Sequence, residues 1–280
     1  MLHTRDEIRR LCGSLDMPGG MTELIVREVN GFDFFGVAGF VPDLLNPKTA
    51  GYATSRISGG LDGYGVRLLV VSLSAAIDAE DIIYKPRGTS RDVYIDTMKC
   101  FSRFVREFYE THGVYGYDTA FWSWRQLAGT IYRLGALEFE TTRYDGEGKP
   151  GLLSHGEPVL SVHIPSDALL SRAELDNSYA RARAFFADTE HARAPFYCDS
   201  WLLSPALKEM LRPDSNILRF SGDYTIIAGS PHSDGANIRI FKRLYKSASE
   251  LPEDTSLQRA AKKRLLSGGH VGDGEGVLRA

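Results

Sequence analysis

The sequence predicts an α+β protein, a helical N-terminal domain followed by a mixed α/β sheet domain, on three observations. Apolar residues in the first half recur at helical spacing, most clearly Tyr94, Met98, Phe101, Val105 and Phe108, which share one side of a 3.6-residue period. At residue 136 the period changes to two: Leu137 and Phe139 alternate with Glu138 and Glu140, the mark of a half-buried strand. Residues 157–203 then read as strand, loop, long amphipathic helix and strand, a unit that normally forms a right-handed crossover between parallel strands. The boundary falls near residue 134, giving domains 1–134 and 135–280, with no linker composition between them.

Length and composition bound what these domains do. A chain of 280 residues, 43% hydrophobic and 25% charged, has the make-up of a globular protein with one large core or two modest ones. A formal net charge of −3 offers no electrostatic case for nucleic acid or an acidic membrane surface. The longest apolar run, around Leu68-Leu69-Val70-Val71, is too short to cross a bilayer. The start, MLHTRDEIRRLCG, is a charged amphipathic pattern without a signal-peptide core. Cys12, Cys100 and Cys198 are odd in number and widely spaced, unlike a disulfide framework or a zinc site. The expectation is a cytoplasmic protein with a small-molecule substrate and no metal, its oligomeric state left open.

In the first domain, residues 4–12 predict a short helix broken by MPGG at 17–20. Residues 21–60 mix short apolar stretches with turn residues and predict short helices. Residues 66–84 read as a buried helix ended by Pro86-Arg87-Gly88, and one amphipathic helix carries the Tyr94–Phe108 stripe. After the loop at 112–116, Asp118 is the expected N-cap of a helix with Phe121, Trp124, Ala128 and Ile131 on its apolar face and Gly135 at its stop.

In the second domain, 136–142 and 158–164 are the first strands, joined by a turn-rich loop at 144–156. Ser171, with Glu174 three residues on, opens a helix as a capping box, and Leu175, Tyr179, Ala182 and Phe186 form its buried stripe. Residues 195–202 give the next strand and 204–211 a short helix. Asn216–Ile227 and Ile238–Leu244 read as a hairpin around a turn-rich segment. Thr255 and Gln258 form another capping box, opening a basic helix that Gly268-Gly269 ends. The glycine-rich tail HVGDGEGVLRA reads as a surface segment, since a phosphate loop needs a following helix.

Wording across the chain carries a resemblance. The strings are Tyr132 through Glu140, His163-Ile164-Pro165, Ser178 through Phe186, Cys198 through Leu203, Ser215-Asn216-Ile217 with Phe220, and Leu251 through Arg259. They resemble a family of bacterial two-part acyltransferases with a helical N-terminal part and a GNAT-like C-terminal domain. The resemblance covers residues from about 90 to the C-terminus. It implies acetyl-CoA or another acyl-CoA as cosubstrate. It also places the cofactor pyrophosphate at the start of the helix after the central strand, an anion site by its free N–H groups. Here that segment is Pro165 to Ser171, without glycine and containing Asp167. Ile164, Pro165, Ser166, Ser171 and Trp201 are the cofactor-binding residues so implied.

The residues offer one constellation for proton removal. Two strands joined by a loop pair antiparallel, so Glu138 and Glu140 share a face with Ser161 and His163 if the polar sides coincide. A carboxylate beside an imidazole orients the ring and raises its basicity, which makes Glu138, Glu140 and His163 the candidate catalytic residues. The same pattern is also that of a cross-strand ion pair on a solvated face. Cys198 lacks the neighbouring base that thiol catalysis requires and reads as a small buried hydrophobe. Trp201 serves as a pocket wall or as core filler, and Trp122 would suit the wall of a cleft. The expected function is acyl transfer from an acyl-CoA to an amine or hydroxyl by direct attack. The alternative is a non-catalytic ligand- or partner-binding protein that has kept the fold and lost the cofactor loop.

Overall fold

A computed structural model describes residues 2–61, 64–242 and 245–279. The chain forms two compact units, Met1–Arg133 and Leu134–Ala280.

The first unit is helical. Helix α1 (Arg5–Ser14) starts at Thr4 with both halves of a capping box to Glu7 and buries Ile8, Leu11 and Cys12. Helices α2 (Gly19–Gly31), α3 (Phe35–Ala38), α4 (Val41–Leu44) and α5 (Ala50–Gly59) fill the segment that predicts short helices. Helix α6 (Val66–Ala79) is buried on nearly every side. It runs on through a π-helical turn at Glu80–Tyr84 and a 3-10 turn at Lys85–Arg87. Gly88 then stops it in the left-handed region, φ +69°, a conformation that costs glycine nothing.

Tyr94, Met98, Phe101, Val105 and Phe108 are all buried as the periodicity predicts. They lie on two helices, α7 (Arg91–Met98) and α8 (Cys100–His112), rather than one. Helix α9 (Ala120–Leu127) departs further from expectation. Its N-cap is Thr119; Asp118 instead accepts a hydrogen bond from the Thr119 hydroxyl. Ala128 and Ile131 of the expected apolar face are buried, just beyond the helix, but Phe121 is 68% exposed, and the helix itself buries Ala120, Ser123, Gln126 and Leu127. A buried phenol explains the inward Ser123, whose side chain pairs with the Tyr117 hydroxyl; Tyr84 donates to the backbone carbonyl of Gln126 at 2.6 Å. Polar side chains can face a core where partners wait for them.

The division between the units falls within β1 (Ile131–Leu134), a strand that a purely helical reading of 118–135 omits. Gly135 is therefore not a helix stop. It turns the chain from β1 into β2 (Leu137–Arg143) with φ +80°. A Cβ there would lie 2.7 Å from Ser178 Oγ, which accepts from the Ala136 amide at 2.8 Å.

The sheet has the order β1-β2-β3-β4-β6-β5. Strand β3 (Pro158–His163) pairs antiparallel with β2 and parallel with β4 (Phe196–Ser200). Helix α10 (Arg172–Phe185) links β3 to β4, as the strand–helix–strand pattern predicts. Its Ser171 cap accepts from the Glu174 amide at 3.4 Å. On the helix-covered back of the sheet, Phe139, Tyr179 and Phe196 meet with ring centroids 5.0–6.4 Å apart.

Three expectations beyond β4 are corrected. After α11 (Leu207–Met210), residues 216–222 are a helix, α12 (Asn216–Gly222), because the Ser215 side chain caps it by accepting from Leu218 N. Strand β5 (Thr225–Ser230) follows. The expected second strand of the hairpin is instead helix α13 (Gly235–Phe241), which buries Ala236, Ile240 and Phe241; Leu244, at the end of that expected strand, lies outside the described residues. Helix α14 (Ser256–Leu266) carries the full Thr255–Gln258 capping box. The glycine-rich tail is not draped on the surface. It is β6 (Asp273–Leu278), inserted antiparallel between β4 and β5. Its glycines mark close approach: a Cβ at Gly274 would sit 2.5 Å from the Leu203 carbonyl oxygen, and one at Gly276 2.9 Å from both Leu203 Cδ1 and Tyr224 Cβ. No helix among the described residues is long and apolar enough to cross a membrane.

Candidate active site

Strand alternation puts one set of side chains on the face opposite α10. In the β2–β3 register Glu138 is opposite His163 and Glu140 opposite Ser161. The polar sides of these strands do coincide. His163 Nε2–H donates to Glu140 Oε2 at 2.9 Å, along the diagonal rather than straight across, within reach of long side chains. Both partners are mostly buried, with side chains 23% and 18% exposed. Glu138, at 2% exposure, is deeper still.

The parallel pairing of β3 with β4 runs over two rungs, Leu160 with Phe196 and Ser161 with Tyr197. This sets Tyr197 and Asp199 on the same face as Ser161 and His163. The β4–β6 register then places Glu275 directly opposite Asp199. The carboxyl ends of β3 and β4 and the start of β6 thus bring together His163, Asp199, Glu275 and Asp273, the location where ligands of parallel strands usually sit.

This face is acid-rich, and its charges interact. Asp199 still reaches solvent, yet its carboxyl titrates above the usual range. Partial loss of water around it is the first cause, followed by the charges of Glu275 and Asp273, with His163 pulling the other way. The Tyr197 hydroxyl donates to Glu275 Oε2 at 2.9 Å. Burial, then the bond and charge of Glu275, push that phenol well up, so it stays a donor. Cys198 points to the opposite face, fully buried, and loss of water drives its thiol far above the ordinary range. It serves as a packing residue there, since thiol chemistry needs the thiolate.

The residues implied for the cofactor are spread over two places. Ile164 and Pro165 directly follow β3, Ser166 is exposed in the turn that follows, and Ser171 caps α10. Together they bound one loop. Trp201 begins a 3-10 turn after β4 and packs against a separate cluster of Leu207, Ile240, Phe241 and Val271. Two open cavities lie in this unit. One, of about 460 Å³, is on the α10 side and is lined by Arg172, Asp176, Tyr179, Phe196, Asp223 and Leu278. The other, of about 410 Å³, includes Asp273, His270 and Arg264 in its lining. No group of three or more ligating side chains that would hold a metal occurs among the described residues.

Asp199 falls within the expected strand 195–202 without being joined to the pair, and Asp273 and Glu275 fall in the stretch that reads as a tail. The available signal was the alternation of Asp273, Glu275 and Val277 with glycine, which is strand-like once the glycines are read as sites of close approach.

Comparison with known proteins agrees with this architecture. The model of the GNAT-like C-terminal domain matches residues 131–278, and that of the N-acyltransferase N-terminal domain matches residues 6–129. No curated protein matches the chain. Among solved structures, an acyltransferase mutant in complex with octanoyl-CoA is 25% identical with a TM-score of 0.82, over 100% of this chain and 89% of that one. An acyltransferase in complex with decanoyl-CoA and teicoplanin is 24% identical with a TM-score of 0.80, over the same shares. An acyltransferase in complex with CoA and 10C-teicoplanin is 25% identical with a TM-score of 0.77, over 97% of this chain and 87% of that one.

Proposed function

We propose that this chain, which belongs to the family built from an N-acyltransferase N-terminal domain and a GNAT-like C-terminal domain, is an acyl-CoA-dependent acyltransferase acting on a small-molecule amine or hydroxyl. The observation that carries the reading is the His163–Glu140 pair at 2.9 Å, set where β3 and β4 stop pairing. Acyl-CoA supplies an activated thioester carbonyl. The acceptor nitrogen or oxygen attacks that carbon, the new bond forms as the C–S bond breaks, and the sulfur leaves with the electron pair.

The chain's own part is proton handling and alignment. Glu140 accepts from Nε2–H, which fixes the ring tautomer and leaves Nδ1 as the basic nitrogen. Nδ1 takes the acceptor's proton as attack proceeds, and the Glu140 charge stabilises the imidazolium that results. Such general-base assistance is worth about 10²–10⁴-fold in rate. Glu138, buried opposite His163, adds to the negative field behind the ring.

The local structure fits the cosubstrate in one part more closely than in another. Strands that pair over two rungs and then run on to His163 and Ser200 present backbone groups to an extended, amide-bearing arm, the logic of strand addition. Ile164 and Pro165 would border that arm. Ser166 through Ser171 would face the phosphates with the N-terminus of α10 behind them. That loop has no glycine and includes Asp167, and this observation sustains the second reading, a binding protein without catalysis. Use of an acyl-CoA also places the protein in the cytoplasm.

Calorimetric titration with acetyl-, octanoyl- and decanoyl-CoA tests the reading. Binding of at least one, followed by thiol release when an amine acceptor is added, is the expected result. Teicoplanin, present in a structural neighbour, is the first acceptor to try. Heat of binding without thiol release for any acceptor favours the non-catalytic reading, and no binding of any acyl-CoA removes both the donor and the proposed chemistry.

A further inference from the structure

We infer that Asp199 is a positioning residue for the reaction: its carboxylate, opposite Glu275 on the sheet face that carries His163, sets the pH at which His163 takes up a proton. The inference rests on the role of His163 just proposed. Its basis is the register of three strands. Ser161 is the β3 partner of Tyr197; His163 and Asp199 are the next side chains on that face, beyond the last paired rung, and are close enough for their charges to interact. Asp199 is in turn the direct cross-strand partner of Glu275.

Two carboxylates directly opposite on one sheet face repel each other, an arrangement that lowers stability. The molecule assigns them different tasks. Glu275 accepts a hydrogen bond from the Tyr197 hydroxyl at 2.9 Å. Among the described residues none donates such a bond to Asp199, and it is the member whose proton affinity rises. The charged and titratable groups around the imidazole are then Glu138 and Glu140 from β2, Tyr197 and Asp199 from β4, and Asp273 and Glu275 from β6. Glu140 is committed to Nε2 and Glu275 to Tyr197. Asp199 is the one that reaches solvent beside the ring, so it can answer to pH, to salt and to the charge of an incoming acceptor.

The sign follows directly. An ionised Asp199 favours the imidazolium, so it raises the midpoint of His163. Removing that charge lowers the midpoint, and activity that needs the neutral ring extends to lower pH. The test is a histidine ring NMR titration of the full chain at about 10 mM and about 500 mM salt, repeated for D199N, D199E and E275Q. The expected result is a fall of about half a pH unit in the His163 midpoint for D199N at low salt. That fall shrinks at high salt and is largely restored in D199E; E275Q gives a smaller fall. An unchanged midpoint in D199N overturns the inference, as does a fall that salt leaves intact, because that reports rearrangement rather than charge. Should D199N fail to fold, an unchanged midpoint in E275Q overturns it equally. The readout needs no acyl-CoA. Loss of the proposed function would appear as absent thiol release with the midpoint still shifting, so the two failures are distinguishable.

Discussion

The two faces of the C-terminal sheet are made by the same strands and obey opposite rules. On the back, Phe139, Leu160, Val162, Phe196 and Cys198 are 0–1% exposed and lie against α10. On the front, Glu138, Glu140, His163, Tyr197, Asp199 and Glu275 crowd at the carboxyl ends of β3 and β4. Apolar burial on the back contributes stability without regard to direction, at about 25 cal/mol per Å². The front gathers like charges and an imidazole, which costs stability and is tolerated where chemistry needs it. Stability thus resides on one face and the proposed chemistry on the other, and each strand serves both by alternation.

Substitutions on each face should separate these roles. The largest effect is expected for His163→Ala: thiol release with the acyl-CoA that binds falls by about 10²–10⁴-fold, while urea unfolding changes by less than about 1 kcal/mol. Equal losses of activity and stability would merge the two faces into one. Phe196→Ala should do the reverse, costing about 3–5 kcal/mol on unfolding with the His163 titration midpoint unmoved.

The strand between the faces gives an intermediate effect. Gly276→Ala brings a Cβ to 2.9 Å from Leu203 Cδ1 and Tyr224 Cβ. It should cost about 1–3 kcal/mol by overpacking, read as a lower midpoint in urea. Ser178→Ala removes the acceptor of the Ala136 amide and should cost about 1–2 kcal/mol, read the same way.

The smallest effect is a pH dependence on the front face. The Asp199 carboxyl is raised in the folded state, so its contribution is fully present below the unfolded carboxylate range and is lost as pH rises through the folded midpoint. Asn at 199 lacks that loss. The melting temperature of D199N should therefore gain on the wild type as pH rises from about 4 and then level off. A gap that narrows over that range would contradict the raised carboxyl.

Much of the architecture was legible because it rests on local periodicity. The Tyr94–Phe108 stripe, the alternation at 137–143 and the β3–α10–β4 unit each signal themselves within about fifteen residues. A carboxylate beside His163 was legible from the same alternation on the condition that the two polar faces coincide; which of Glu138 and Glu140 it is was left to the register. Errors arose where distant partners decide. Ser123 is buried on α9 because Tyr117 supplies its hydrogen bond, and no local pattern announces that. Residues 216–222 form a helix because Ser215 caps them, against an apolar composition that also suits a strand.

The sequence by itself determined a helical part followed by a sheet with a parallel crossover, and it determined a carboxylate–imidazole pair, since alternation and capping are properties of neighbouring residues. Only the tertiary structure decided that the glycine-rich tail is β6. The cause is non-local: Gly274 and Gly276 are required by Leu203 and Tyr224, some fifty to seventy residues away in the chain. With β6 in place, Asp273 and Glu275 come beside Asp199 and His163, and the pair read from two strands becomes a charged site spread across four.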